Sequence, residues 1–284
     1  MSALYHHLLV PTDFSLCADN AVQYALSLAE KTKAKVSFLH AYHVPMMTDM
    51  NGLVYPTGSM LDTLIEESEV KLKELVTRSQ KKYPQLKLEA LHQEGFLTDV
   101  VRETCESKKI DLIVIGTQGA SGWEEIVLGS NAALVMESTS CPILVVPQKA
   151  LYKDFQKILF ASDFEFEDLE ALTRLQQLAA LFEAKLQVVH VSKDPASEED
   201  MLDWLQELSQ ERFSVKGITF KNIEENESTM HTLHDYLLTE GIDLVAMDST
   251  NKSFFKKIFQ GSMTEKMAYH THIPFMAFHI KNGK

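Results

Sequence analysis

Cysteine is scarce in this 284-residue chain: Cys17, Cys105 and Cys141 stand far apart, with no C-x-x-C pair and no Cys/His zinc spacing. A disulfide framework and a structural zinc site are therefore excluded, and the three residues read as reduced, buried thiols. Long apolar runs are also missing. None approaches the ~18 residues needed to span a bilayer. Residues Met1 to Pro11 show no basic region followed by an apolar core, so no signal peptide is expected and a cytoplasmic location is. Positive charge is in deficit, with 27 Lys and Arg against 40 Asp and Glu and a net charge of −13. Such a surface repels nucleic acids and anionic membranes, and neither is expected as a partner. It still permits a small anion held by backbone N–H groups. Neither G-x-x-x-x-G-K-[ST] nor G-x-G-x-x-G occurs. At 45% apolar and 24% charged residues, the composition is that of a folded globular protein.

What the chain does contain is an internal repeat. Leu8-Leu9-Val10-Pro11-Thr12-Asp13-Phe14 is echoed by Ile158-Leu159-Phe160-Ala161-Ser162-Asp163-Phe164. Ala34-Lys35-Val36, His40 and Pro45 match Ala184-Lys185-Leu186, His190 and Pro195 at the same offset. Ile110-Asp111-Leu112-Ile113, Gly129-Ser130 and Cys141-Pro142-Ile143 match Ile242-Asp243-Leu244-Val245, Gly261-Ser262 and Ile273-Pro274-Phe275 at a shorter offset. The second copy is thus the shorter, and Met46–Ser59 is the segment expected to be extra. Its Asn51-Gly52 and Pro56-Thr57-Gly58 mark it as a loop. Two domains follow, 1–147 and 148–284, with a linker near Gln148–Phe155.

Within the first copy, strands are predicted at Leu8–Val10, Lys35–His40, Leu86–Leu91, Asp111–Gly116 and Pro142–Val146. Helices are predicted after Ser15 and at Leu61–Lys82, Leu97–Ser107 and Asn131–Ser138. The second copy repeats the order with strands Ile158–Ala161, Lys185–His190, Gly217–Ile223, Asp243–Met247 and Pro274–Phe278. Alternating strands and helices predict an α/β fold: two tandem parallel sheets, each in a three-layer α/β/α, Rossmann-like domain. Ligands of such sheets bind at the carboxyl ends of the strands. Pro11-Thr12-Asp13 and the segment from Gly116 occupy such ends.

From Gly116 the chain reads Gly-Thr-Gln-Gly119-Ala-Ser-Gly122-Trp-Glu-Glu-Ile-Val-Leu-Gly129-Ser130. Glycines after a strand let the backbone approach an anion, and successive N–H groups form a concavity for it. The following helix adds its N-terminal N–H groups, and Ser130 a hydroxyl. The spacing G-x2-G-x9-G-[ST] resembles the ATP-binding signature of the universal stress protein family. The first strand ending in Asp13, the second ending in His40 and the final Pro-Ile-Leu-Val-Val-Pro strand are similar to that family too, over both halves. The resemblance implies ATP, with or without Mg2+, as cofactor. Adenine and ribose would lie near Pro11, Thr12, Asp13 and Ala41, and the triphosphate on Gly116, Gly119, Gly129, Ser130 and Asn131. It implies a regulatory stress-response module with at most weak ATPase activity, whose last strands pair, together with a homodimer or an unidentified protein partner.

Two departures stand out. Trp123-Glu124-Glu125 falls where the family often carries a basic residue. In the second copy Asp248 replaces the first glycine and Asn251 the second, so only Gly261-Ser262 remains. A carboxylate there repels phosphate, and the second copy is expected to be structural. Lys252, Lys256 and Lys257 leave open a smaller anion. A scaffold that binds no nucleotide is the alternative for the whole chain. His6 and His7 point to opposite faces of a strand, His40 has a counterpart in His190 that favours a structural role for both, and the His231/His234 pair lacks a third ligand, so no metal site is expected at these or at His43.

Overall fold

The structure is a computed structural model and describes residues 5–44, 46–48, 54–56, 59–117, 130–162, 168–201, 203, 206–207, 217–248 and 272–278. In the first half the elements run β1 (His7–Pro11), α1 (Leu16–Thr32), β2 (Lys35–Tyr42), β3 (Met46–Thr48), β4 (Val54–Pro56), α2 (Ser59–Lys82), β5 (Leu88–Glu94), α3 (Leu97–Lys108), β6 (Leu112–Gly116), α4 (Ser130–Ser138) and β7 (Ile143–Val146). The second half follows with β8 (Lys157–Ala161), α5 (Asp168–Phe182), β9 (Lys185–Ser192), β10 (Ile218–Glu224), α6 (Thr229–Glu240), β11 (Leu244–Asp248) and β12 (Phe275–Phe278). This is the mixed α/β fold read from the repeat. One expectation needs correcting. Met46–Ser59 is not wholly loop: Met46–Thr48 and Val54–Pro56 pair as a short antiparallel ribbon.

Among the described residues ten strands form one sheet in the order β10-β9-β8-β11-β12-β7-β6-β1-β2-β5. Every pair is parallel except one. β7 and β12 run antiparallel, with Phe275 opposite Val145, Met276 opposite Leu144 and Ala277 opposite Ile143. The final strands of the two halves therefore join them into a single sheet. The central strands are buried on both faces, which is why they read as unbroken apolar runs rather than alternating ones. On one face Val22, Leu26, Leu72, Leu144, Leu172 and Met276 belong to one apolar cluster spanning both halves. On the other, Val101, Val135, Ile143, Val245 and Leu237 form a second.

Local chemistry starts and stops the helices. Ser15 caps α1 by accepting from the Ala18 N–H, and Lys33 ends it in a left-handed conformation. Ser228 caps α6 in the same way, and Gly241 closes it. The linker is held against α1. The Asn20 amide donates to the carbonyls of Pro147 (2.8 Å) and Ala150 (2.7 Å), and the Tyr24 hydroxyl to that of Leu151 (3.1 Å).

One device appears in both copies. Asp111 Oδ2 accepts the N–H groups of His6 (2.7 Å) and His7 (2.9 Å). Asp243 Oδ2 accepts those of Gln156 (2.8 Å) and Lys157 (3.0 Å), and Asp243 also pairs with Lys153. Each carboxylate thus pins the start of one strand to its parallel neighbour. Burial raises the Asp243 pKa, but Lys153 and the two N–H groups outweigh it and hold the pKa below the usual carboxylate value. Asp243→Ala leaves two partly buried donors without an acceptor and is expected to cost about 2–3 kcal/mol. Urea unfolding at neutral pH checks this. The loss should shrink in acid, because a depressed carboxylate pKa stabilises only above its unfolded value.

Candidate functional site

The strand order locates the crevice. From β1 the chain moves outward to β2 and β5, then returns to lay β6 and β7 on the other side of β1. The topological switch point therefore lies between the adjacent strands β1 and β6. Pro11 ends β1 and Gly116 ends β6, so the two flank it. β7 is parallel to β6, so the intervening α4 begins at this same end of the sheet, at Ser130. Asn131, exposed, lies in its first turn. Ala41 lies near the carboxyl end of β2 and is partly buried. Pro11, Thr12, Asp13, Ala41, Gly116, Ser130 and Asn131 thus all belong to the carboxyl end of the first half's sheet. Gly119 and Gly129, with Trp123-Glu124-Glu125 between them, lie outside the described residues, as do Asn251, Gly261 and Ser262 of the second copy.

The turn after β1 is tightly built. The Thr12 N–H continues the ladder by donating to the Leu39 carbonyl at 2.8 Å. Thr12 Oγ1 accepts from the Phe14 N–H and Asp13 Oδ1 from the Ser15 N–H, both at 3.0 Å. Between them Phe14 takes φ of 64°. A bulky side chain rarely adopts that left-handed conformation. Its ring packs on His40 at 4.7 Å, and the His40 Nδ1–H donates to the Thr12 carbonyl at 2.8 Å. The second copy repeats the bond, His190 Nδ1–H to the Ser162 carbonyl at 2.6 Å. The two matching histidines thus each hold the residue that directly follows the first strand of its half. Their recurrence in the repeat pointed to a structural role, and this hydrogen bond is what they do.

Gly116 has a reason of its own. A Cβ at this position would lie 2.8 Å from Cys17 Sγ and 2.9 Å from the Cys17 carbonyl oxygen. The first turn of α1 therefore packs directly on the end of β6. Cys17 is buried there, with its Sγ 3.7 Å from Thr117 Oγ1 and from the Val146 carbonyl oxygen. At the matching position of the second half the chain carries Asp248, which is buried at the end of β11. Asp168, at the start of α5, is buried as well and accepts from the Ser162 hydroxyl at 2.5 Å.

Histidines elsewhere have ordinary partners. His231 faces Asp235 at 3.3 Å and Glu227 at 3.7 Å. Among the described residues no group of three His, Cys, Asp or Glu is arranged to hold a metal ion. Two imidazoles are held below the usual value near 6.5. For His7 burial dominates and the charge of Lys35 adds to it, outweighing the hydrogen bond with the Lys108 carbonyl. For His92, which stacks on His40 at 5.7 Å, burial comes first and then the neighbouring imidazole. A histidine with a depressed folded pKa favours the folded state above its unfolded pKa, and that contribution is lost as pH falls. Stability should therefore decline between about pH 7 and pH 5, ahead of carboxylate titration. Denaturation midpoints across that range check this, and the decline should be shallower in His92→Gln.

The profile of the universal stress protein family matches residues 4–147 and again 154–279. The chain belongs to the universal stress protein family and carries two tandem copies of its domain. A universal stress protein of Methanocaldococcus jannaschii is 34% identical over 145 residues, which are 50% of this chain and 82% of the relative. One from Bacillus subtilis is 26% identical over 147 residues, 50% of this chain and 99% of the relative. Among solved structures, a universal stress protein from Archaeoglobus fulgidus has a TM-score of 0.72 at 19% identity, covering 97% of this chain and 98% of that one. That likeness shows the fold. Among the described residues no helix is long and apolar enough to cross a membrane.

Proposed function

We propose that the first half binds ATP in the crevice between β1 and β6, and that the chain acts as a nucleotide-responsive regulatory module of the cytoplasm. The observation that carries this reading is the switch point, flanked by the Thr12–Ser15 turn, Gly116 and the first turn of α4. The base and ribose lie against Pro11, Thr12, Asp13 and Ala41. The triphosphate lies over the glycine loop and the N-terminus of α4, where N–H groups and the helix dipole offset the negative charge of the chain. Magnesium enters with the triphosphate and screens it. In the second half Asp248 stands at the phosphate position, and that half is structural. The domains divide at 147/148, where the linker leaves β7 for its berth on α1.

A second reading, a scaffold without nucleotide, draws on the packing of Gly116. Cys17 requires a glycine there whether or not a ligand binds. Calorimetric titration of nucleotide-stripped protein with Mg-ATP separates the two. One site per chain is expected. No binding would establish the scaffold reading, and two sites would overturn the role given to Asp248. Gly119→Asp introduces into the loop a side chain and the charge carried by Asp248. It is expected to lower affinity at least about 100-fold, or about 2.7 kcal/mol, and undiminished affinity would discard the loop assignment.

A further inference from the structure

Cys105 lies in the last turn of α3, and Cys141 lies two residues before β7. Both side chains are buried in the same apolar layer and lie near enough to influence each other electrostatically. The backbone of Ile110 ties the two positions together: its N–H donates to the Cys105 carbonyl at 3.1 Å, and its carbonyl accepts from Cys141 Sγ at 3.4 Å. The Cys141 N–H is fixed in turn by Thr139 Oγ1 at 3.1 Å. The second copy supplies an internal reference. There the matching residues are Leu237 and Ile273, in the same apolar layer, and the Ile242 N–H again donates to the residue-237 carbonyl. Hydrocarbon side chains satisfy the packing at this place in the fold, so packing alone does not call for two thiols in this layer. The stretch between the cysteines, 106–140, contains the whole segment Gly116–Asn131.

We propose that Cys105 and Cys141 form a reversible dithiol–disulfide site, oxidised by hydrogen peroxide, whose disulfide closes the chain from 105 to 141 into a covalent ring. The two thiols are not equivalent. The interaction with Cys141 lowers the pKa of Cys105, whereas the same interaction and burial push Cys141 up. Cys105 is thus the attacking sulfur. Its thiolate attacks a peroxide oxygen, the O–O bond breaks, and hydroxide leaves to be protonated to water, giving a sulfenic acid. The Cys141 sulfur then attacks the Cys105 sulfur, its proton joins the departing hydroxyl, and a second water leaves as the S–S bond forms. Two thiols and one peroxide yield one disulfide and two waters. The thiols supply two electrons, and a dithiol reductant returns them. Exposures of 9% for Cys105 and 8% for Cys141 restrict the oxidant to a small one.

The test is peroxide treatment of the full chain, alkylation of remaining thiols after denaturation, and mass spectrometry of unreduced peptides. The expected result is a cross-link between the Cys105 and Cys141 peptides that dithiothreitol reverses, with Cys17 still alkylated. The melting temperature of the oxidised protein should rise, and that rise should be absent in Cys141→Ala. Should that variant fail to fold, Cys105→Ala serves the same comparison. Full alkylation of both cysteines after peroxide, a sulfinic acid on Cys105 without a cross-link, or disulfides only between chains or to Cys17 would each overturn the proposal.

Discussion

Gly116→Asp is expected to abolish Mg-ATP binding and to lower stability by about 3 kcal/mol, so that both calorimetric titration and urea unfolding report the change. The stability loss has a geometric cause. The new Cβ meets the Cys17 carbonyl, a backbone atom of α1's first turn, at a separation that folded proteins do not tolerate without displacement. Overpacking of this kind costs about 1–3 kcal/mol, and a carboxylate at a partly buried position adds to it. Loss of binding has a second cause, because the carboxylate would face the phosphates. Gly116→Ala separates them. It should retain most of the stability loss, about 1–2 kcal/mol, while adding no charge. If Gly116→Ala is as stable as the parent, the close packing of α1 on β6 is wrong. If Gly116→Asp still binds ATP with the parent's affinity, the crevice between β1 and β6 is not the phosphate site.

A charge at the join between the halves is expected to be more damaging still. Met276 is 1% exposed, sits opposite Leu144 in the antiparallel pair and receives a long contact from the Tyr5 hydroxyl at 4.0 Å. Met276→Asp removes a buried apolar side chain, worth about 2–5 kcal/mol when truncated, and leaves an unpaired carboxylate in the same place. The combined loss, about 5 kcal/mol or more, is comparable to the whole stability of an ordinary domain. The variant is expected to lose its cooperative unfolding transition or to be recovered only as aggregate. Met276→Leu, which conserves volume, should stay within about 1.5 kcal/mol of the parent. A soluble Met276→Asp protein with parental unfolding would mean that β7 and β12 do not pair.

The parts of this protein that were legible in its sequence are those governed by short-range periodicity and by repetition. Central strands such as Leu112–Gly116 announce themselves as apolar runs because both faces are covered. The helix after Ser15 announces itself by a cap and by helical spacing. The boundaries of β5 were less legible, since Leu88–Glu94 is an edge strand of mixed polar and apolar residues, none of them fully buried. The Met46–Pro56 ribbon was missed because Gly and Pro signal a turn without saying whether its flanks pair. In the candidate site, Thr12, Asp13 and Gly116 were legible as residues at strand ends. The reasons for their geometry were not. The contact of Cys17 with Gly116 joins residues a hundred positions apart, and nothing periodic records it. The left-handed Phe14 was equally hidden, because aromatic residues give no hint of that conformation. It depends on a ring contact with His40, which belongs to another strand.

The antiparallel pairing of β7 with β12 has a consequence for concentration. Two separate chains joined through such strands would come apart on dilution, since association is second order and its equilibrium follows protomer concentration. Here both partners are tethered by a linker that is itself bound to α1, so pairing is intramolecular and its effective concentration is fixed by the chain. The assembly therefore persists at a handful of copies per cell. It also never forms from two identical halves, so its two crevices have been free to diverge, one keeping glycine where the other carries aspartate.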